Sequence, residues 1–420
     1  MNQQPKGTHD ILPYDSYKWQ YIEDKARQIA HRFGAFEIRT PIFEYTEVFL
    51  RNIGEGTDIV SKEMYTFLDK GERSITLKPE GTAAVVRSFV QNNLNAQGLP
   101  QKLYYITPIF RYENPQKGRY RQHHQFGVEY FGSSDHYMDF EVVYLAYMFL
   151  ADLGLQGISL KLNSIGCPIC RPRYIDALQA FINDNIDVFC EQCKVRQNKN
   201  PLRVLDCKIV KCKETLKNSP SISDYICDEC KFHQSELVKL LEYAKISYSL
   251  DPNIVRGLDY YNRTVFEFVA DSPSLGNQGT VCGGGRYDNL VENMGGKPIN
   301  CVGFGMGIER LMAIMEEQGL SFGQSTMPTV SIVYASIAEL DDCIQLATEL
   351  RKHISVDMDF TGKSMKSQLK RADKVLSKYA LIIGSQEKEN GTVTIKSLSN
   401  GVQSCVNLVQ FLDNPNAFLL

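Results

Sequence analysis

The chain has 420 residues, 43% hydrophobic and 23% charged, with a formal net charge of −3 at pH 7 and a pI of about 6.2. That composition is ordinary for a soluble globular protein of about two or three domains, and it excludes a global basic field, so a nucleic-acid partner would have to meet local basic patches. The opening MNQQPKGTHDILP has no apolar core and the longest apolar run, 142–151, is too short to span a bilayer, so the expectation is a cytoplasmic protein, away from membranes, whose twelve cysteines are reduced thiols or metal ligands.

Lys6-Gly7-Thr8-His9-Asp10 precedes a helix predicted over about 16–32. Tyr17, Ile22, Ala26, Ile29 and Ala30 form its apolar stripe, and Gly34 stops it. Residues 36–40 read as a strand halted by Pro41. Pro79-Glu80-Gly81-Thr82 is a turn that opens a helix, with Thr82 as the expected N-cap and Glu80 just outside it. Two strands follow, at 103–110 and 124–131, joined by a charged loop that carries Lys117, Arg119 and Arg121 beside Gly118. On the second strand His124, Phe126, Val128 and Tyr130 point one way, and Gln125, Gly127, Glu129 and Phe131 the other. An amide and a carboxylate therefore share a face with the side-chain-free Gly127 between them, which leaves room for a small ligand. Arg111 stands where the first strand enters the loop, a place from which a guanidinium can fork onto a phosphate or carboxylate. On spacing alone, a solvated hairpin is the simpler reading.

The texture changes between about 166 and 246, where eight of the twelve cysteines lie. Cys167/Cys170, Cys190/Cys193 and Cys227/Cys230 are C-x-x-C pairs, and Cys207 and Cys212 are five apart. Eight thiolates suffice for two zinc sites of four, and buried reduced thiols fit the same pattern. Residues 255–270 are a loop, then a strand from Thr264. Residues 276–288 are rich in glycine, and 302–315 read as a strand, glycines and a helix carrying Glu309 and Arg310. After a linker at 324–328, strand 329–335, helix 337–354, strand 356–361, helix 364–375 and strands 379–385 and 392–398 alternate as an α/β unit. Lys363, Lys366, Lys370 and Lys374 share one helical side, as an RNA-facing patch or a solvated face.

Several of these strings resemble motifs of one family, in the family's order. FGAFEIRTPIFE resembles motif 1 of class II aminoacyl-tRNA synthetases. TLKPEGTAAVVR resembles the substrate-amine loop, with Lys78 where an Arg is usual. RYENPQKGRYRQHHQFGVE resembles motif 2 in its histidyl-tRNA synthetase form, with Tyr112 and Asn114 where His and Arg are usual. RGLDYY and GNQGTVCGGGRYD resemble the two histidine-specific motifs, VGFGMGIERLMAIM resembles motif 3, and the last unit resembles the anticodon-binding domain. The ordered set identifies the chain as resembling the histidyl-tRNA synthetases.

The resemblance implies an α+β fold. A class II antiparallel sheet flanked by helices would occupy 1–325, with a helical cysteine-rich insertion at about 167–246 reaching the tRNA acceptor stem. An α/β anticodon-binding domain would occupy 328–420, and motif 1 would build a homodimer. The implied reaction joins L-histidine and ATP, with Mg²⁺ bridging the β- and γ-phosphates, to form histidyl-adenylate. The histidyl group then passes to the 3′ end of tRNA(His). Arg111 and Arg256 would hold the α-phosphate, Arg310 the γ-phosphate, and Glu113 the adenine side. Glu80, Gly81 and Thr82 would receive the ammonium of histidine. Gln125, with Arg111 and Arg256, would lie at its carboxylate, Glu129 and Tyr261 at its imidazole, and Tyr260 along the pocket wall. Gln116, Arg119 and Arg121 would meet the extra 5′ guanosine of the tRNA. A catalytically dead paralogue, the regulatory subunit of the enzyme that starts histidine biosynthesis, is the rival. Such paralogues usually lack the anticodon domain and part of the arginine set, and both are present here.

Overall fold

The first helix, Ser16–Arg32, buries one stripe: Trp19, Ile22, Ala26, Ile29 and Ala30. Tyr17 is only partly covered, and Gly34, at φ +69°, turns the chain out of the helix. The computed structural model describes residues 3–54, 57, 59–254, 256–276, 279–323 and 327–419. The chain divides into two units, Met1–Gly323 and Gln324–Leu420. Of the expected linker, residues 324–326 lie outside the described residues, as do 255 and 277–278 of the expected loop segments.

The first unit is built on an eight-stranded sheet. Its strands are β1 (Phe36–Glu37), β2 (Gln101–Phe110), β3 (Gln122–Phe131), β4 (Ile158–Ser164), β5 (Tyr248–Leu250), β6 (Asn262–Ala270), β7 (Thr280–Arg286) and β8 (Cys301–Gly307). They lie in the order β1-β2-β3-β8-β7-β6-β4-β5. The six inner strands are antiparallel throughout, and the short edge strands β1 and β5 pair parallel. The strand expected at 36–40 is only two residues long, because β1 pairs with β2 only at Phe36 and Glu37. The alternation read for 124–131 is realised. Phe126, Val128 and Tyr130 enter a core shared with helices Ser16–Arg32 and His136–Asp152. That core fixes the register of β3, since a slip of one residue would send its apolar set to the other face.

The insertion is helical: Arg171–Asp184, Glu191–Lys199, Val210–Leu216 and Asp228–Tyr243. No helix among the described residues is long and apolar enough to cross a membrane.

The second unit carries β9 (Val330–Tyr334), β10 (Val356–Met358), β11 (Tyr379–Ile383), β12 (Thr392–Ser397) and β13 (Gln403–Asn407), ordered β10-β9-β11-β12-β13. Four expectations change, the first being the strand expected at 356–361, which ends at Met358. The helix expected at 337–354 is Leu340–Leu350, because Ser336 and Glu339 form a capping box over a preceding turn. The strand expected at 379–385 ends at Ile383, where helix Ser385–Asn390 begins. Strand β13 was not expected at all; QSCVN is largely exposed and shows no apolar alternation. Lys363, Lys366, Lys370 and Lys374 are all exposed, on or just before helix Met365–Lys374.

Candidate active site

The face of β3 that carries Gln125, Gly127 and Glu129 continues across β8 and β7. Gly127 pairs with Gly305 and Gly305 with Gly283, while Glu129 pairs with Gly303 and Gly303 with Gly285. Glycine weakens a strand interior, so a strip of it across three strands calls for a reason. Side chains lying flat on the sheet supply that reason. A Cβ on Gly303 would collide with the carboxylate of Glu129, one on Gly305 with the amide of Gln125, and one on Gly283 with the guanidinium of Arg256. Gly127 belongs to the same scheme, but what lies over it is not the expected free space. The ring of Tyr105, directly opposite on β2, fills it and is held between Gly127 and Gly81.

Two buried carboxylates stand at one end of this strip. Glu129 Oε1 accepts from Thr82 Oγ1 at 2.6 Å and from the Tyr105 hydroxyl at 3.2 Å, and its other oxygen accepts from the Tyr287 hydroxyl. Burial pushes its pKa up to about 8, against the pull of these donors. Glu80 accepts from the backbone N–H of Thr82 at 2.8 Å and of Ala83 at 2.7 Å. Thr82 is therefore not the cap of helix Thr82–Gln91. Gly81 occupies the N-cap position with no side chain to offer, and Glu80 takes the two free amides. The freed Thr82 hydroxyl goes to Glu129 instead. Burial also raises the pKa of Glu80, and its amide donors oppose the shift. Tyr260 and Tyr261 close the well with ring centroids 4.7 Å apart, and Tyr260 lies 5.5 Å from Tyr287. Two carboxyls at the floor of a tyrosine-walled well suit a small cation with N–H groups to donate.

Arginines gather at the other end. Arg111, Arg119, Arg256 and Arg310 line a cavity of about 170 Å³, together with Glu113 and Gln125. Arg111 Nε donates to the Pro79 carbonyl at 2.7 Å, and Arg310 Nε to the Gly118 carbonyl at 3.1 Å. Burial, with Arg119 and Arg111 nearby, brings the pKa of Arg310 down to about 10. Arg256 pairs with Glu267, and its buried Nε has no hydrogen-bond partner among the described residues. Burial works against its charge, but the Glu267 carboxylate, with Tyr261, Cys282 and Tyr260 adding to it, raises its pKa overall. Asp259, the neighbour that could have been its structural partner, binds Asn200 Nδ2 at 2.6 Å instead. Glu309 is no plain surface charge. It is buried and accepts from the His124 backbone N–H at 2.8 Å. Such a gathering of guanidiniums suits a polyphosphate.

The charged loop closes tightly. Gln116 and Arg119 form a bridge across Gly118, at φ +71°. Arg119 faces the cavity and pairs with Glu113, which is itself buried. Arg121 lies 3.8 Å from the ring centroid of Tyr112, and its backbone N–H donates to Gly7 at 2.7 Å. Lys78 is buried. Its Nζ is 3.3 Å from Thr40 Oγ1, and burial lowers its pKa to about 8.

Tyr105 and Tyr287 are site residues that sequence reasoning missed. The signal for Tyr105 was its position opposite Gly127 in the hairpin; that for Tyr287 lay inside GGGRYD.

In the insertion, the eight cysteines form two tetrads, each with all four sulfurs within 4.8 Å of one another: Cys167, Cys170, Cys227 and Cys230, and Cys190, Cys193, Cys207 and Cys212. Each tetrad could hold a metal ion.

The family model described as Histidyl-tRNA synthetase matches residues 7–168 and 191–311, and that described as Anticodon binding domain matches 329–414. The histidine–tRNA ligase of Clostridium botulinum (strain Langeland) is 50% identical over 409 residues, 97% of each chain. That of Acetivibrio thermocellus is 49% identical over 97% of this chain and 98% of its own. The crystal structure of apo S. aureus histidyl-tRNA synthetase superimposes with a TM-score of 0.84 at 37% identity, covering 98% of this chain and 99% of that one. A buried acid well beside an arginine-lined cavity, on a sheet shared with that structure and in a chain matched along nearly its whole length, leads to one conclusion: the chain belongs to the histidyl-tRNA synthetase family.

Proposed function

We propose that this chain joins L-histidine to tRNA(His) in two steps, with the acid well holding the amino acid and the arginine cavity holding ATP. One observation carries the reading: Glu80 and Glu129 on one side, and Arg111, Arg256 and Arg310 on the other, converge on one glycine-floored strip. The ammonium of histidine goes to Glu80, Gly81 and Thr82, and the imidazole to Glu129 and Tyr261, against Tyr260. Its carboxylate then projects past Gln125 toward Arg111 and Arg256. That carboxylate oxygen attacks the α-phosphorus of ATP, the bond to the bridging oxygen breaks, and pyrophosphate leaves. Charge grows on the α-phosphate oxygens in the transition state, where Arg111 and the Nε of Arg256, without a partner among the described residues, meet it. Arg310 holds the γ-phosphate and Glu113 the adenine side. Glu113, Glu267 and Glu309 already accept from protein donors. Mg²⁺ arriving with ATP would neutralise charge on the leaving pyrophosphate, and any hold on it from this chain would come from Glu113 or Glu309, which line the cavity. In the second step the 3′-hydroxyl of the tRNA attacks the adenylate carbonyl and AMP leaves.

Gln116, Arg119 and Arg121 on the motif 2 loop belong to tRNA recognition, and the exposed lysines of helix Met365–Lys374 to the anticodon arm. The chain acts as a homodimer in the cytoplasm. Phe36, Phe43, Phe67 and Leu68 are exposed around the motif 1 segment and support a partner surface there. The tetrads are its places for structural zinc. ATP–pyrophosphate exchange, run with each standard amino acid in turn, tests the assignment. Histidine alone should drive exchange. Exchange with none would favour the regulatory paralogue, and exchange with another amino acid would overturn the specificity.

A further inference from the structure

We propose that the two cysteine tetrads each bind one Zn²⁺ and that together they brace the loop 256–261, so that metal occupancy sets how well the site takes its amino acid. The metal half stands alone; that this amino acid is histidine rests on the function proposed above.

The sulfur spacing suits a single tetrahedral ion in each tetrad. Cys167 Sγ lies 3.6 Å from Cys170 Sγ and 3.9 Å from Cys227 Sγ, and Cys170 Sγ lies 3.8 Å from Cys230 Sγ. In the second tetrad Cys190 Sγ lies 3.9 Å from Cys207 Sγ. A zinc–sulfur bond of ~2.3 Å in a regular tetrahedron places the sulfurs ~3.8 Å apart. A polynuclear iron–sulfur cluster puts several metal atoms between its thiolates and spreads them further. Four soft thiolates also disfavour Mg²⁺ and Ca²⁺.

The bracing follows from what stands next to the thiols. Arg171 directly follows Cys170. It donates to the carbonyls of Ile165 at 3.1 Å and Gly166 at 3.3 Å, and it reaches the Tyr261 carbonyl. Asn200 and Arg203 lie between Cys193 and Cys207. Asn200 Nδ2 donates to Asp259 at 2.6 Å, and Arg203 donates to the Gly257 carbonyl at 2.8 Å. Glu229, between Cys227 and Cys230, pairs with Arg263 just beyond the loop. The segment that carries Arg256, Tyr260 and Tyr261 is thus gripped at Gly257, Asp259 and Tyr261 by three side chains. One tetrad anchors Arg171; the other anchors Asn200 and Arg203. Metal that ties α-helical and loop segments at the thiols fixes the origin of every grip.

The test uses the purified full-length chain. It should carry two zinc ions and no iron. Co²⁺ reconstitution should give thiolate charge-transfer and tetrahedral ligand-field bands. Chelation should raise the histidine KM by ~10–100-fold with a much smaller change for ATP, and zinc should restore it, since a displacement of about 1 Å at a positioning group costs that much. Hydrogen exchange of backbone amides at 256–261 should speed up without metal, a readout that needs no activity. Cys207→Ser with Cys212→Ser should lose one zinc and show the same histidine effect. Asn200→Ala with Arg203→Met, which leaves the thiols alone, should keep both zinc ions and raise the histidine KM similarly; it decides the matter if the cysteine variant folds poorly. Metal-free protein as isolated, bound iron, unchanged exchange at 256–261 after chelation, or a grip variant with the parent histidine KM would each overturn the proposal. Zinc-replete protein that shows metal-dependent exchange protection but no histidine-driven pyrophosphate exchange would refute the ligase assignment and leave the brace standing.

Discussion

The hydroxyl of Tyr105 meets Glu129 Oε1 at 3.2 Å while its ring covers Gly127, the residue opposite it on the neighbouring strand. One side chain thus serves as wall and as hydrogen-bond donor. It also sits 3.3 Å from Gln125 Oε1 and so links the two polar residues of the strand.

Tyr105→Phe keeps the wall and removes the donor. With a pKa of about 8, Glu129 is largely neutral at pH 7, so the lost hydrogen bond is worth ~0.5–1.5 kcal/mol and the histidine KM should rise by roughly 2–10-fold while the ATP KM stays near the parent value. Glu129→Ala should raise the histidine requirement by at least as much. Steady-state pyrophosphate exchange with each substrate varied separately checks both; an unchanged histidine KM in Glu129→Ala would remove Glu129 from the histidine pocket.

Glu129 should make the ligand-free protein pH-sensitive. Its folded pKa, about 8, lies above the ordinary 4.5. A carboxyl raised in this way contributes stability that is fully present below about pH 4.5 and is lost as pH rises toward about 8. Glu129→Gln abolishes that titration. Thermal unfolding of both proteins without histidine, from pH 5 to 8.5, should therefore show the parent losing ground to Glu129→Gln as pH rises. Parallel curves would contradict the burial argument.

Arg256 should act on the rate of adenylation. Arg256→Lys should slow it by ~10–10³-fold and Arg256→Ala by ~10²–10⁴-fold, with a smaller change in ATP KM, because the contact strengthens as charge develops. Transfer from preformed adenylate should suffer less. Rapid-quench measurement of pyrophosphate release, with melting temperatures on the same samples, separates this from a loss of stability through the Glu267 pair.

Ending the chain at Gly323 should spare adenylate formation and damage tRNA charging, since the division into units falls there. Equal loss of both activities in a folded truncation would contradict separate roles for the two units.

Local signals were readable wherever a single element sets its own pattern. Helix Ser16–Arg32 and the alternation of β3 follow from spacing, while the helical character of the insertion came from the family resemblance. What could not be read depends on which distant segments meet. Tyr105 is one of several tyrosines until its register against Gly127 is known. The C-x-x-C pairs were visible, but nothing in their spacing says that Cys167/Cys170 closes on Cys227/Cys230 rather than on Cys190/Cys193. Glu80 looked like a neighbour of the cap because its role depends on the backbone turning at Gly81. The family's motif order supplied what spacing could not, and it did so for positions rather than for contacts: Arg256 was marked for the site, but not its pairing with Glu267.

The glycine strip also constrains how this pocket can change over evolution or in engineering. Positions 303, 305 and 283 are moulds of Glu129, Gln125 and Arg256. A larger residue cannot enter at any of them unless its partner shrinks in the same step. Libraries that vary the polar residues one at a time would meet mostly dead variants, whereas libraries that vary each glycine together with the side chain lying on it would explore new pocket shapes. In a diverging lineage, the couples at 305 and 283 should drift as pairs, with a methyl gained on the floor matched by one lost above it, whereas 303 should stay glycine because the Val128 carbonyl also closes it.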